Sequence, residues 1–144
     1  MSRALVPWNG DWDVARAAFR WNIPETFNIA ERCCDSWARH APDRVALIVP
    51  DGRDWTYGAR KEASDRFANV LRAQGIRAGD RVAVLLPQAP EVMITHFAAM
   101  KLGAISLPLF TLFGTAALAY RLADSGAKAV VTHREGIEKL EAIR

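Results

Sequence analysis

The chain has 144 residues, of which 51% are hydrophobic and 24% charged, and its formal net charge at pH 7 is +3. This composition is typical of a folded globular protein and excludes a disordered chain, which would contain fewer apolar residues. The 19 basic residues are scattered among 16 acidic ones. Because nucleic-acid-binding proteins carry a clustered basic stripe, we expect no nucleic-acid partner.

Residues 1–27 are predicted to form an N-terminal arm with a short helix near Asp11 to Arg20. The arm contains Trp8, Trp12 and Trp21, and we expect it to lie over a larger body because such side chains need a surface to cover. Its first residues lack the sustained apolar segment of a signal peptide. A cytoplasmic location is therefore expected.

A helix is predicted to begin at Asn28, because Asn28 and Glu31 have the spacing of a capping box. Ile29, Cys33 and Trp37 follow at intervals of four and are expected to form its buried stripe. Cys34 is adjacent to Cys33, and neighbouring cysteines form a disulfide only with strain. We expect free thiols, since a metal site would need more ligands than this segment offers.

The next segment is predicted to be a β-hairpin, with strands at Val45 to Val49 and Asp54 to Tyr57 around a Pro-Asp-Gly turn. Thr56 can cap a second helix, which ends at Gly75. The residues expected on the buried face of this helix are Ala59, Ala63, Phe67 and Leu71.

From residue 81 onward, strands and helices alternate with short connections. The predicted strands are Arg81 to Pro87, Ala104 to Leu109 and Ala127 to Thr132, and the predicted helices are Pro90 to Leu102, Thr115 to Ser125 and a last one from Glu135. The first strand is apolar throughout, which indicates burial on both faces. This order predicts an α/β fold with a parallel sheet and crossover helices.

The 19 residues between Lys101 and Arg121 carry no charge, which is about the length of a membrane span. However, Gly103, Pro108 and Gly114 interrupt the stretch. These residues suit a helix end, a strand, a loop and a helix start, so we expect the interior of an α/β domain and no membrane span.

The sequence offers little catalytic machinery. It contains neither a G-x-G-x-x-G motif nor a Gly-Lys-Ser/Thr phosphate loop, and no serine lies in a Gly-x-Ser-x-Gly motif. His96 lies among apolar residues of a predicted helix and is expected to be a packed imidazole rather than a base. His133 follows the end of a strand, where functional groups of open parallel sheets often lie. Composition and spacing alone indicate no reaction.

Several short motifs resemble the N-terminal part of the adenylate-forming synthetase superfamily, which includes acyl-CoA synthetases. They are Thr56-Tyr57, Gly79 to Ala83, Leu86 to Gln88, Lys101 to Ala104 with Pro108-Leu109, and Asp124 to Lys128. Phe27 to Ala30 and Pro42 to Leu47 are similar to the acetyl- and medium-chain acyl-CoA synthetase branch. The resemblance covers residues 27–144, and it identifies residues 28–144 as an incomplete N-terminal portion of such a domain.

The resemblance implies an ATP-dependent carboxylate–CoA ligase as the parent enzyme, with ATP, CoA and Mg²⁺ as cofactors and a small carboxylic acid as substrate. The family's phosphate loop, metal-binding Thr-Glu pair, ribose-binding Asp and C-terminal Lys are absent from this sequence. We therefore expect no catalytic or metal-binding residue here. The segment would be a scaffold for the remainder of the parent polypeptide, inactive alone and without tightly bound cofactors. The alternative is a stand-alone α/β binding or interaction module without catalysis.

The one candidate cofactor contact is the loop after the second parallel strand. The acetyl-CoA synthetase branch has a Phe-Gly-Gly-Phe turn beside the CoA channel, and Phe110, Thr111 and Leu112 begin the matching stretch here. The resemblance implies a contact of these residues with CoA. Because the flexible glycines are replaced, a packed loop without ligand contact is the other interpretation.

Overall fold

The structure, a computed structural model, describes residues 10–21, 23–50 and 52–143. The helices are α1 (Trp12–Ala18), a π-helical segment (Glu31–Asp35) leading into α2 (Ser36–His40), α3 (Tyr57–Ala73), α4 (Pro90–Lys101), α5 (Thr115–Ser125) and α6 (Arg134–Glu141). The strands are β1 (Val45–Leu47), β2 (Trp55–Thr56), β3 (Arg81–Leu85), β4 (Ile105–Pro108) and β5 (Ala129–Thr132).

The predicted parallel sheet is confirmed. Its three strands lie in the order β4-β3-β5, and β3 pairs in parallel with both neighbours. In the central strand, Val82, Ala83, Val84 and Leu85 are all at most 3% exposed. The apolar run with no polar alternation is thus explained by burial on both faces of β3.

Helices cover both faces of this sheet. Val82 packs with residues of α3 and α4, while Ala83 and Leu85 pack with residues of α5 and α6. Successive side chains of a strand point to opposite faces, so α3 and α4 form one layer and α5 and α6 the other. Strand, crossover helix and strand follow each other as the sequence predicts.

The capping interaction at Asn28 is confirmed, but the predicted buried stripe is wrong. The Asn28 side chain accepts a hydrogen bond from the Glu31 backbone N–H at 3.2 Å. Ile29 and Trp37 are 48% and 43% exposed, and Cys33 is exposed. The residues that this helix buries are one position further along: Ala30, Cys34 and Ala38. These are small, so the helix backbone can approach α3 and α4 closely, while the Trp37 ring stacks on Tyr57 instead.

The face predicted for α3 also needs correction. Thr56 caps the helix and Gly75 follows its end with a φ of +86°, as predicted. However, the buried residues are Arg60, Ser64, Ala68 and Leu71, whereas Ala59 is exposed and Ala63 and Phe67 are half-buried.

Arg60 explains this rotation of the buried face. Its guanidinium donates a hydrogen bond to the Cys33 carbonyl at 2.8 Å and lies over the rings of Tyr57 and Phe97. A buried arginine is tolerated where such partners replace water. Two of these partners, Cys33 and Phe97, come from other helices, so the periodicity of α3 does not reveal them.

The hairpin is confirmed, since β1 and β2 pair antiparallel, with Val45 opposite Thr56 and Leu47 opposite Trp55. In the arm, α1 lies within the predicted range and is capped by Asp11. Trp12 and Trp21 are 67% and 80% exposed, so the prediction that the aromatic side chains of the arm cover a larger body is wrong for these two residues, and Trp8 lies outside the described residues. The arm boundary at residue 27 stays a prediction.

Within the described part of the chain, no helix combines the length and the apolar character that a membrane span requires. The uncharged stretch after Lys101 forms β4, a loop and the first half of α5. The interruptions at Gly103, Pro108 and Gly114 therefore fall at element ends, as the sequence predicts.

Candidate functional site

The three parallel strands end at one edge of the sheet, where a depression of about 200 Å³ opens. Ligands of open α/β sheets bind at the carboxyl ends of the strands, which makes this depression the candidate site. It lies between the loop after β4 and the first turns of α6. Its polar and loop residues are Thr111, Leu112, His133, Glu135 and Lys139.

Of the three residues that the resemblance implies as CoA contacts, Thr111 and Leu112 line this depression. Thr111 is half-buried and Leu112 is 78% exposed. Phe110 is 58% exposed, and its ring packs edge-to-face against Phe113 with centroids 6.0 Å apart. The loop thus has features of both interpretations, because Phe110 packs within the loop while Thr111 and Leu112 face a cavity.

Side chains from two helices hold this loop. The Nζ of Lys139 in α6 donates hydrogen bonds to the carbonyl oxygens of Thr111 at 2.7 Å and Phe113 at 3.4 Å. The guanidinium of Arg121 in α5 lies 4.2 Å from the centroid of the Phe113 ring. Neither residue was singled out in the sequence. Lys139 lies 28 residues from Thr111, and no local pattern signals such a contact.

His133 immediately precedes α6 and borders the depression. Its Nε2 lies 3.4 Å from the carboxylate of Glu135, which gives this histidine a partner that the sequence did not indicate. Its Nδ1 is buried and has no hydrogen-bond partner among the described residues.

Gly136 permits the close approach of α6 to the end of β5. A Cβ at this position would lie 1.9 Å from the Oγ1 of Thr132. The Thr132 hydroxyl donates a hydrogen bond to the Leu85 carbonyl at 2.8 Å, which joins the ends of β5 and β3. Glycine at 136 therefore shapes the floor of the depression.

His96 lies outside this depression. Its Nδ1 is 2.6 Å from the hydroxyl oxygen of Ser106, so it joins α4 to β4. Burial lowers the pKa of the His96 imidazole below its ordinary value. This is the environment of a packed, neutral imidazole.

A cluster of charges joins α4 to the π-helical segment and α3. The Nζ of Lys101 lies 2.7 Å from the Oδ1 of Asp35 and 2.5 Å from the Oδ1 of Asp65, and Lys61 also contacts Asp65. Burial alone would raise the pKa of Asp65, but hydrogen bonds from Lys101 and Lys61 outweigh it and lower that pKa. The cluster connects helices, and its charges balance one another.

The described residues do not fit a magnesium site. Residues 10–21, 23–50 and 52–143 contain no group of three or more His, Cys, Asp or Glu side chains that could hold a metal ion. Cys33 and Cys34 are free thiols, as predicted, and only Cys34 is buried.

Comparison with known proteins agrees with the fold and with the resemblance. The sequence model of the AMP-binding enzyme family matches residues 34–144. The acetyl-coenzyme A synthetase of Sodalis glossinidius (strain morsitans) is 37% identical over 134 residues, which are 90% of this chain and 21% of that protein. The chain thus spans about a fifth of the length of the curated relatives it matches.

Solved structures give the same result. An acyl-CoA synthetase of Brucella canis superposes with a TM-score of 0.83 at 37% identity, over 92% of this chain and 27% of that one. The anthranilate CoA ligase AuaEII, solved in complex with anthranoyl-AMP, superposes with a TM-score of 0.79 at 28% identity, over 85% of this chain and 23% of that one.

Proposed function

Because the chain belongs to the AMP-binding enzyme family, we propose that it is a segment of an AMP-forming carboxylate–CoA ligase. In the proposed reaction, a carboxylate oxygen attacks the α-phosphate of ATP, which gives an acyl-adenylate and pyrophosphate. The thiol of CoA then attacks the acyl carbon and displaces AMP, which gives the thioester. The relatives named acetyl-coenzyme A synthetase support a small carboxylic acid as the substrate. We also propose that the parent enzyme is cytoplasmic.

The family match carries the proposed reaction, and the open edge of β5 carries the proposal that this segment is a scaffold for the rest of the enzyme. Among the described residues, β5 pairs only with β3. The chain passes from β4 to β5 through α5, crossing β3, and α6 packs in the same layer as α5. Crossovers between parallel strands are right-handed, so a strand that follows α6 is directed to the position beyond β5.

Apolar surface on both sides of β5 supports the same conclusion. On the α3 and α4 side, a groove of about 410 Å³ is lined by Phe67, Val70, Ile94 and Val131. On the α6 side, a groove of about 560 Å³ is lined by Val130, Ile137 and Leu140. Exposed apolar surface beside an unpaired strand favours burial against another segment. We propose that the remainder of the parent polypeptide covers it and that this segment is a scaffold.

The roles of the ligands follow from the residues present. The described residues offer no metal cluster, and the sequence has no phosphate loop. We therefore assign ATP and Mg²⁺ to the remainder of the parent enzyme. In this proposal, Phe110, Thr111 and Leu112 belong to the loop beside the CoA channel, supported by the position of Thr111 and Leu112 at the carboxyl edge of the sheet.

The test compares residues 1–144 with the full-length product of the gene that encodes them. Each is assayed for pyrophosphate release and thioester formation with ATP, Mg²⁺, CoA and acids from acetate to octanoate. The full-length protein should make the thioester, and the segment alone should release no pyrophosphate. A full-length protein without ligase activity on any acid would refute the proposal, and turnover by the segment alone would refute its scaffold role.

A second measurement separates the scaffold from the stand-alone module. The isolated segment should bind the dye ANS and unfold with a shallow transition, because its apolar flank is uncovered. A stand-alone module would bind little dye and unfold cooperatively.

A further inference from the structure

We propose that Lys139 is a positioning residue for the CoA step, because its ammonium group fixes the loop at residues 110–114 beside the depression. This inference rests on the proposed function, since it takes the depression as part of the CoA channel. Lys139 belongs to α6, and the loop connects β4 to α5. The contact therefore joins two segments that are distant in the sequence.

The contact is a double one. One ammonium group binds the carbonyl oxygens of Thr111 and Phe113, at 2.7 and 3.4 Å. An ammonium group has three donors and no acceptor, and hydrogen bonds from a charged donor are stronger than neutral ones. Because these two carbonyl groups converge on one cation, they restrain the backbone of the residue between them, Leu112.

Leu112 has little packing of its own, since it is 78% exposed. The backbone N–H of Phe113 donates to the Phe110 carbonyl at 3.0 Å, which closes a turn around Thr111 and Leu112, and Arg121 lies over the Phe113 ring. The turn thus keeps its own shape, and Lys139 fixes where Thr111 and Leu112 lie relative to α6 and the depression. Removing the ammonium group should release this part of the loop and leave the fold intact.

The effect should be specific for the second half-reaction. Thr111, Leu112 and Lys139 all line the depression that we assign to CoA, whereas we assign ATP and Mg²⁺ to the remainder of the parent enzyme. A displaced loop should therefore weaken CoA binding and leave acyl-adenylate formation unchanged. Loss of hydrogen bonds from a charged donor corresponds to about a tenfold change in an equilibrium constant.

The experiment uses the full-length enzyme and the variants Lys139→Met, Lys139→Arg and Lys128→Met. Lys128 is a matched control, because its Nζ also binds a backbone carbonyl, that of Gly75 at 2.8 Å, but at the opposite end of β5. Acyl-adenylate formation is measured by pyrophosphate release with hydroxylamine as the acceptor. Thioester formation is measured as a function of CoA concentration.

Lys139→Met should raise the KM for CoA about tenfold and leave hydroxylamine-dependent pyrophosphate release unchanged. Lys139→Arg should restore most of the CoA affinity, since arginine also donates to carbonyl groups, and Lys128→Met should leave the KM for CoA unchanged. An unchanged KM for CoA in Lys139→Met would overturn the inference, and so would an equal loss in both half-reactions.

Amide hydrogen exchange on the same full-length proteins separates this inference from the proposed function. The Phe113 amide, which donates to the Phe110 carbonyl, should exchange faster in Lys139→Met than in the parent protein or in Lys139→Arg. If the parent protein makes no thioester, the proposed function fails, while the exchange rates still test the loop contact. Unchanged loop exchange in Lys139→Met overturns the inference in either case.

Discussion

Lys101 and Asp35 form an ion pair that is almost inaccessible to solvent, with 2.7 Å between Nζ and Oδ1 and side chains 11% and 15% exposed. Lys101 is the last residue of α4, and Asp35 is the last residue of the π-helical segment. The pair therefore joins the N-terminal helices to the helix layer on the sheet. Because water is largely excluded, neither charge is well solvated without the other.

Replacing Lys101 with Met should lower the free energy of unfolding by about 3 kcal/mol, because Asp35 is left as an uncompensated, nearly buried charge. Chemical denaturation of the two proteins measures this difference. Lys61→Met is the matched control. The Lys61–Asp65 pair is more than a third exposed on both sides, so its loss should cost at most about 1 kcal/mol. Equal losses in the two variants would contradict this account.

Gly136→Ala should destabilise the protein by about 1 to 3 kcal/mol, because the added Cβ collides with the Thr132 hydroxyl. Thermal unfolding measures the loss. At Gly114 an added Cβ meets nothing within 4 Å, so Gly114→Ala should cost no more than about 1 kcal/mol for the changed helix cap.

A double-mutant cycle tests the cause of the Gly136→Ala effect. Thr132→Ala removes the hydroxyl that the new methyl group would meet, although it also loses the hydrogen bond to Leu85. Gly136→Ala should therefore cost clearly less in the Thr132→Ala background than in the parent protein. Strictly additive losses would show that the collision is not the reason.

His96 should make the stability of the protein depend on pH. Burial holds its folded-state pKa below the ordinary value of 6.5, so the unfolded chain takes up the proton first. The stability that the neutral His96 imidazole contributes is therefore fully present above the unfolded-state pKa, and it is lost as the pH falls through the folded-state pKa. His96→Gln cannot titrate, so its stability difference from the parent protein should shrink between about pH 7.5 and about pH 5.5. A difference that is constant over this range would contradict the lowered pKa.

The sequence was sufficient for the sheet and its crossovers because their signals are local. The apolar run from Val82 to Leu85 is bounded by turn residues, and the positive φ values of Gly75, Gly103 and Gly126 occur where helices end. A buried parallel strand and a helix end each require particular residues nearby. These elements could be predicted without knowledge of their neighbours.

The buried faces of the first long helices could not be predicted in this way. Ile29, Cys33 and Trp37 have the same spacing as Ala30, Cys34 and Ala38, so periodicity fits both stripes. Which residues are buried depends on the neighbouring helices. Small residues allow these helices to pack closely, and the neighbours supply hydrogen-bond and ring partners for Arg60. In the candidate site, resemblance pointed to Thr111 and Leu112, whereas the contact with Lys139 exists only in the folded chain.

Hydrogen exchange at two neighbouring amides of β5 tests the central claim most directly. The Lys128 N–H bonds to the Arg81 carbonyl of β3, and N–H directions alternate along a strand. The amide of Val130 therefore faces β3, and that of Val131 faces the open edge. In the isolated segment, Val130 should exchange slowly and Val131 rapidly. In the full-length protein both should be slow, because a further strand covers the edge, and a Val131 amide that exchanges equally fast in both proteins would contradict the account.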